Sequence, residues 1–296
     1  MTGPRCICAG GFSTGEYNMK KWNYAISSAD KYTSDAMPPL APILLRDGIL
    51  ENLEAAAKLG YQAIEVHTRE EAPIDWDAVN DKIEETGVKI CQIITGRLNT
   101  EGLCDLMNDR PYVADAAVDG LLQYIDIAAY VGADIVLGWA KGNIPKGGNR
   151  EKYMARLAQN LQPVNDYAKE QGVKINIEVI NHYEVNVFTT AKELVNFLEE
   201  YPELDACYVH LDTFHMMLEE DSFEEAFEAA KGRIGYFHIA DSTRWYPGSG
   251  NLDLKKMLAL LEETGYDGYV SVECFPRGDG VETGRKAIEY LKSIEG

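Results

Sequence analysis

The sequence predicts an α/β chain: one closed (β/α)8 barrel, a TIM barrel, spanning residues 1–296 as a single domain with an extended first βα loop. Three observations predict it. Short β-rich apolar runs alternate with amphipathic helical stretches, the order that builds a parallel sheet. Eight such runs occur, with no low-complexity linker between them. The helical stretches repeatedly end on a glycine that leads straight into the next run, as in Leu59-Gly60-Tyr61, Thr86-Gly87-Val88, Val131-Gly132-Ala133, Gln171-Gly172-Val173 and Thr264-Gly265-Tyr266. An open doubly wound sheet is the second choice. It loses support because neither Gly-x-Gly-x-x-Gly nor Gly-x4-Gly-Lys-Ser/Thr is present where a nucleotide fold needs it.

The first strand is placed at Cys6–Ala9, where Cys6-Ile-Cys8 alternates like a strand and lacks zinc spacing. The stretch from Phe12 to Arg46 is long for a βα connection. It carries Tyr17, Trp22, Tyr24 and Tyr32 and three of its prolines fall at 38, 39 and 42, so it is read as an insertion: a lid or an oligomer contact at the top of the barrel, or else a loop merely packed on the outside. Ile49, Leu53, Ala56 and Leu59 follow helical spacing. Strands follow at Ala63–His67, Lys89–Ile94 and Asp134–Gly138, with a helix containing Leu121, Ile125 and Ala128 before the last of these. A loop at 145–148 leads into a helix over Tyr153–Gln171, with Asn149 as its N-cap. The remaining strands are Lys174–Val179, Ala206–Leu211, Gly235–Ile239 and Tyr269–Cys274, with a helix around Leu194, Phe197 and Leu198.

The formal net charge of −20 argues against partners that need a basic face: nucleic acid and anionic lipid. No apolar run is long enough to span a membrane, and the start of the chain has no signal-peptide run. Six scattered cysteines in a chain of this size favour reduced thiols and a cytoplasmic location.

Four acidic or imidazole residues stand at the carboxyl ends of four successive strands: Glu178, Asp212, His238 and Glu273. They are spaced by roughly 26 to 35 residues, about one βα unit, which puts all four on the rim where barrel active sites lie. Any one of them could be a helix cap. Three carboxylates brought together repel one another, and a divalent cation relieves the repulsion. Three oxygen donors and one imidazole, with no thiol, suit a single six-coordinate Mn²⁺, with Mg²⁺ or Co²⁺ as alternatives, better than structural zinc. One step outward stand Glu184, His215 and Arg244, which together offer a hydroxyl acceptor, a donor and a fixed charge around a polyol. Trp139, Lys141 and His67 also lie just past or at strand ends; each either reaches the pocket or merely packs. Pro247-Gly-Ser-Gly250 shapes the turn after Arg244.

Ile177-Glu-Val-Ile-Asn-His-Tyr-Glu184, Leu211-Asp-Thr-Phe-His-Met216, Phe237-His-Ile-Ala-Asp-Ser-Thr-Arg244, Pro247-Gly-Ser-Gly250 and Val272-Glu-Cys274 resemble the sugar isomerase/epimerase superfamily with a xylose-isomerase-like barrel, and within it the ketose 3-epimerases of the D-tagatose and D-psicose type. The resemblance covers about Asp47 to the C-terminus. It implies that Glu178, Asp212, His238 and Glu273 are metal ligands. It implies that Glu178 and Glu273 double as the acid/base pair, and that Glu184, His215 and Arg244 hold substrate hydroxyls. The implied activity is epimerisation of a ketose or keto-sugar by proton abstraction through an enediolate. The same carbanion chemistry could expel a β-leaving group, so a lyase is the alternative. The metal-bearing large subunit of a C-glycoside deglycosidase, acting on 3-oxo-glycosides beside a small second subunit, is the related example. His182 and Met217-Leu218 depart from the usual pattern. The expected partners are a small sugar substrate and further copies of the chain in a homo-oligomer.

Overall fold

A computed structural model describes residues 20–38 and 40–295. Its strands are β1 (Asn23–Ala29), β2 (Ala63–His67), β3 (Lys89–Ile94), β4 (Asp134–Leu137), β5 (Ile175–Glu178), β6 (Cys207–Asp212), β7 (Ile234–Ile239) and β8 (Tyr269–Val272). All neighbours are parallel, and β1 pairs with both β2 and β8, so the sheet closes into a barrel. The intervening helices are α1 (Lys31–Ala36), α2 (Ile49–Leu59), α3 (Trp76–Thr86), α4 (Gly96–Thr100), α5 (Pro111–Val131), α6 (Arg150–Gln171), α7 (Ala191–Glu200), α8 (Thr213–Glu219), α9 (Phe223–Ala229), α10 (Leu254–Glu263) and α11 (Gly280–Ile294).

The expected barrel is present, with one correction. The proposed strand Cys6–Ala9 lies outside the described residues. The barrel's first strand is Asn23–Ala29, inside the stretch 12–46 that was read as an insertion. Its sequence, Asn-Tyr-Ala-Ile-Ser-Ser-Ala, is weakly apolar because small residues point into the barrel, so it does not stand out by hydropathy. The first βα connection is therefore shorter than expected and runs over residues 30–48, with α1 inside it.

Two cores hold the fold. Inside the barrel, Ala25, Ala63, Cys91, Ile94, Val136 and Tyr236 form a small cluster. Between sheet and helices lies the large one, which takes Ile64 and Val66 from β2, Val209 and Leu211 from β6 and Val270 and Val272 from β8. β2, β6 and β8 thus send alternate residues inward and outward, the period-2 rule of a pleated strand, while β3, whose register with β2 shifts, places both Cys91 and Ile94 inside. Helix ends are set locally. Asn149 accepts from Lys152 N at 2.8 Å and starts α6, as expected. Gly60, Gly87, Gly132 and Gly172 close their helices in the left-handed conformation, where glycine carries no Cβ penalty.

Candidate active site

The strand alternation carries the predicted residues to one place. Along β5, β6, β7 and β8 the outward residues fill the shell. The inward ones are Asn176 and Glu178, then His210 and Asp212, then Tyr236 and His238, then Ser271, followed by Glu273 just beyond the strand. Register sets their heights: Asp212 pairs with His238, and His238 with Ser271. Glu178, Glu184, His215, Arg244 and Glu273 all line one cavity of about 640 Å³ at the carboxyl rim.

Asp212 and His238 do not line the cavity but pack against residues that do: His238 Nδ1 lies 3.9 Å from Asp212 Oδ2 and 3.6 Å from Glu273 Oε2. His215 Nε2 lies 3.6 Å from Glu178 Oε1 and 3.8 Å from Asp212 Oδ2. Asp212 divides its oxygens. Oδ1 caps α8 by accepting from Phe214 N at 2.7 Å, while Oδ2 is buried without a hydrogen-bond partner. Among the described residues, three sets of donor atoms each fall within 4.8 Å of one another: Glu178, His210 and His238; Glu65, His238 and Glu273; and Glu178, Asp212 and His215. All four expected ligands take part, but no single set unites them. A cation is nonetheless well matched here: the buried Asp212 Oδ2 and His238 Nδ1 are both partnerless, and both face carboxylate or imidazole donors of the same cluster.

The electrostatics follow from crowding. Burial, and then the neighbouring Glu273, push Glu178 up to about 8. Burial pushes Asp212 up to about 6 against the pull of Arg244 and His238. Burial alone would lower His238, but Glu65, Glu273 and Asp212 outweigh it and raise it to about 10. Burial, helped by Arg244, holds His215 well below its usual value, so its ring is neutral.

Arg244 is only 8% exposed. Its Nη2 donates to Glu273 Oε2 at 2.7 Å and stands 3.7 Å from Asp212 Oδ2, and its Nη1 stands 3.7 Å from Glu184 Oε1. Its guanidinium lies between the rings of Phe214 and Phe275, at 5.0 and 5.7 Å. The loop behind it is tied by Asp241, whose carboxylate accepts from Ser242 N, Leu252 N and Gly248 N. Gly248 has φ +90°, so the Pro247–Gly250 turn has the shaping role read from the sequence.

The other weighed residues separate. Trp139 lines the cavity and stays 38% exposed, on a 3-10 turn after β4. Lys141, on the same turn, is fully buried and donates to Gly138 O at 3.1 Å. Burial pulls it down to about 8, partly opposed by Glu178 and Glu184. A Cβ at Gly138 would come within 2.9 Å of Glu178 Oε2, so a side chain there would displace that carboxylate. His67 lines the cavity, with a buried, partnerless Nε2 3.7 Å from Glu273 Oε1. The opposite wall comes from the first βα connection, including Met37, Pro38, Leu40 and Ile43.

Sequence reasoning missed three contributors. Glu65 lies mid-strand on β2, fully buried, and shares contacts with His238. Tyr236 donates to Glu65. Asn181 joins His215 and Glu184. Period 2 was the available signal for Glu65 and Tyr236: each stands two residues before a rim residue, His67 and His238, on the same face of its strand.

The described residues contain no helix long and apolar enough to cross a membrane. The profile of the xylose isomerase-like TIM barrel family matches residues 53–294. An L-ribulose 3-epimerase from Methylomonas sp. (strain DH-1) is 30% identical over 231 residues, covering 77% of this chain and 79% of that one. A D-psicose 3-epimerase from Agrobacterium fabrum is 28% identical over 239 residues, covering 77% and 80%. The crystal structure of a D-allulose 3-epimerase from Methylomonas sp. in complex with D-allulose superposes with a TM-score of 0.74 over 93% of this chain and 98% of that one, at 24% identity, a likeness of fold. With a family profile running from α2 to the end of α11 and a relative of this identity over three-quarters of its length, the chain belongs to the xylose isomerase-like TIM barrel family.

Proposed function

We infer that this protein is a divalent-metal-dependent epimerase of a ketose or keto-sugar. The observation that carries the reading is the rim cluster: Glu178 and Glu273 line one cavity with His215 and Arg244, while the buried, partnerless Asp212 Oδ2 and His238 Nδ1 stand against His215 and Glu273 of that lining. Glu178, Asp212, His238 and Glu273 would hold the cation, with Mn²⁺ the best match to oxygen-rich donors and Mg²⁺ or Co²⁺ as alternatives. When bound, such an ion supplies Lewis acidity, stabilising negative charge on neighbouring sugar oxygens so that a weakly acidic C–H ionises near neutral pH.

The chain's own residues do the rest. Glu178 ends β5 and Glu273 follows β8, strands that are not neighbours in the barrel, and both line the cavity. One carboxylate takes the proton from the carbon next to the carbonyl, and the other returns one to the opposite face, inverting that centre. Arg244 orients Glu273 and adds a fixed positive charge beside the substrate oxygens. His215 presents Nε2–H, and Glu184 presents a carboxylate, to sugar hydroxyls. The first βα connection adds an apolar stretch of lining through Met37, Pro38, Leu40 and Ile43. The relatives named above are ketose 3-epimerases, which favours proton return over expulsion of a leaving group.

The test is incubation of Mn²⁺-loaded protein in D₂O with free ketoses and, separately, 3-oxo-glucosides. The reading expects a new epimer carrying one deuterium at the inverted carbon. Release of an aglycone instead would assign a lyase. No exchange with either substrate class would overturn the reading.

A further inference from the structure

Glu65 is the one buried carboxylate of the site for which the proposed chemistry has no task. It is fully buried on β2, two residues below His67 at the rim. Its Oε2 accepts from two donors, Tyr236 OH at 2.7 Å and His238 Nε2 at 2.8 Å. Both donors come from β7, so the contact crosses the barrel interior, which in an eight-stranded barrel is just wide enough for side chains to meet. Tyr236 is held in turn by Cys91 Sγ at 3.4 Å. Two donors converging on one oxygen fix the carboxylate, because rotating it would break both bonds.

The consequence falls on His238. A histidine that ligates a cation is neutral, with one N–H and one lone pair. With Nε2 committed as donor to Glu65, the lone pair belongs to Nδ1, the partnerless atom that faces Asp212 and Glu273. A buried carboxylate whose ion-pair partners among the described residues are imidazoles is a costly way merely to join two strands. As an orienting group behind a ligand it has a clear physical use, since it sets the tautomer, fixes the ring and strengthens the donor nitrogen.

We propose that Glu65 is a positioning residue of the cation centre: it holds His238 with the Nδ1 lone pair aimed at the rim carboxylates and thereby raises metal affinity. The proposal rests on His238 being a ligand, so its test separates the two. Metal-stripped wild type, E65Q and H238A are titrated with Mn²⁺ by calorimetry, with melting curves of the metal-free proteins and KM for a turned-over ketose at saturating Mn²⁺. The wild type binds and H238A loses binding. E65Q keeps the melting temperature and KM but binds Mn²⁺ roughly 10- to 100-fold more weakly. An E65Q affinity within two-fold of wild type overturns the role of Glu65 and leaves the centre standing. An H238A variant that binds like wild type overturns the ligand reading itself. Should E65Q fail to fold, Y236F carries the test: it removes one of the two anchors of Oε2, a severalfold loss of Mn²⁺ affinity is expected, and an unchanged affinity overturns the proposal.

Discussion

Asn181 Nδ2 lies 2.7 Å from His215 Nδ1, and this contact decides which way the imidazole proton points. The orientation of the Asn181 amide is set independently, because its Oδ1 accepts from Tyr183 N at 3.0 Å and its Nδ2 also donates to Glu184 Oε1 at 3.0 Å. Asn181 is therefore the donor and His215 Nδ1 the acceptor, which leaves the neutral ring with its proton on Nε2, toward Glu178 and Asp212. N181A should free the ring and Glu184 together. The expected cost is about 1 kcal/mol for each of the two lost hydrogen bonds, or roughly 30-fold in kcat/KM. Steady-state kinetics check it; a variant with unchanged kcat/KM would remove His215 and Glu184 from substrate recognition.

The acid/base pair makes the steepest prediction. E178Q and E273Q preserve shape but cannot accept a proton, so turnover should fall by roughly 10²- to 10⁴-fold in each. Solvent deuterium incorporation is the direct readout. Near-normal exchange in both variants would sink the two-carboxylate mechanism.

Arg244 is predicted to act mainly in capture. R244A removes the donor to Glu273 and the charge near Asp212 and Glu184. KM should rise roughly 10- to 100-fold, as expected for a charge-assisted contact, with a smaller fall in kcat. R244K should recover part of the loss, since it keeps the charge but not the fork.

Metal removal should silence the protein. Dialysis against a chelator is expected to abolish exchange, and Mn²⁺, Mg²⁺ or Co²⁺ to restore it in differing degrees. D212N separates the two oxygens of Asp212. Its amide oxygen can still accept from Phe214 N, so the fold should persist, while the loss of charge at the second position should weaken metal binding. Binding calorimetry beside a melting curve distinguishes these effects.

The thiols are predicted to be inert. Burial pushes the Cys91, Cys207 and Cys274 thiols far up, so almost none is thiolate at neutral pH. Peptide mapping after brief iodoacetamide treatment of native protein should find these three unmodified. Rapid labelling of Cys91 would show that the Tyr236–Glu65 network opens in solution.

Much of this site was legible in the chain. Glycine-terminated helices and short apolar runs located seven of the eight barrel strands to within a residue or two, because each is a local pattern. The eighth was misplaced. Asn23–Ala29 carries inward alanine and serine and so lacks a strong apolar signature, whereas the aromatic residues around it suggested an insertion. Glu178, Asp212, His238 and Glu273 were found because topology alone sends the ends of parallel strands to one rim.

By itself, then, the sequence determined the barrel, the rim and the residue types collected on it, since these follow from periodicity and strand order. Only the tertiary structure decided which atoms meet: that Glu65 reaches across to His238, that Asn181 turns His215, that Lys141 is buried against Gly138 while Trp139 faces the cavity. Those contacts depend on the stagger between strands and on side-chain directions inside a closed barrel. Residues as far apart in the chain as His67 and Glu273 are juxtaposed there by closure of the sheet, a constraint that no local pattern encodes.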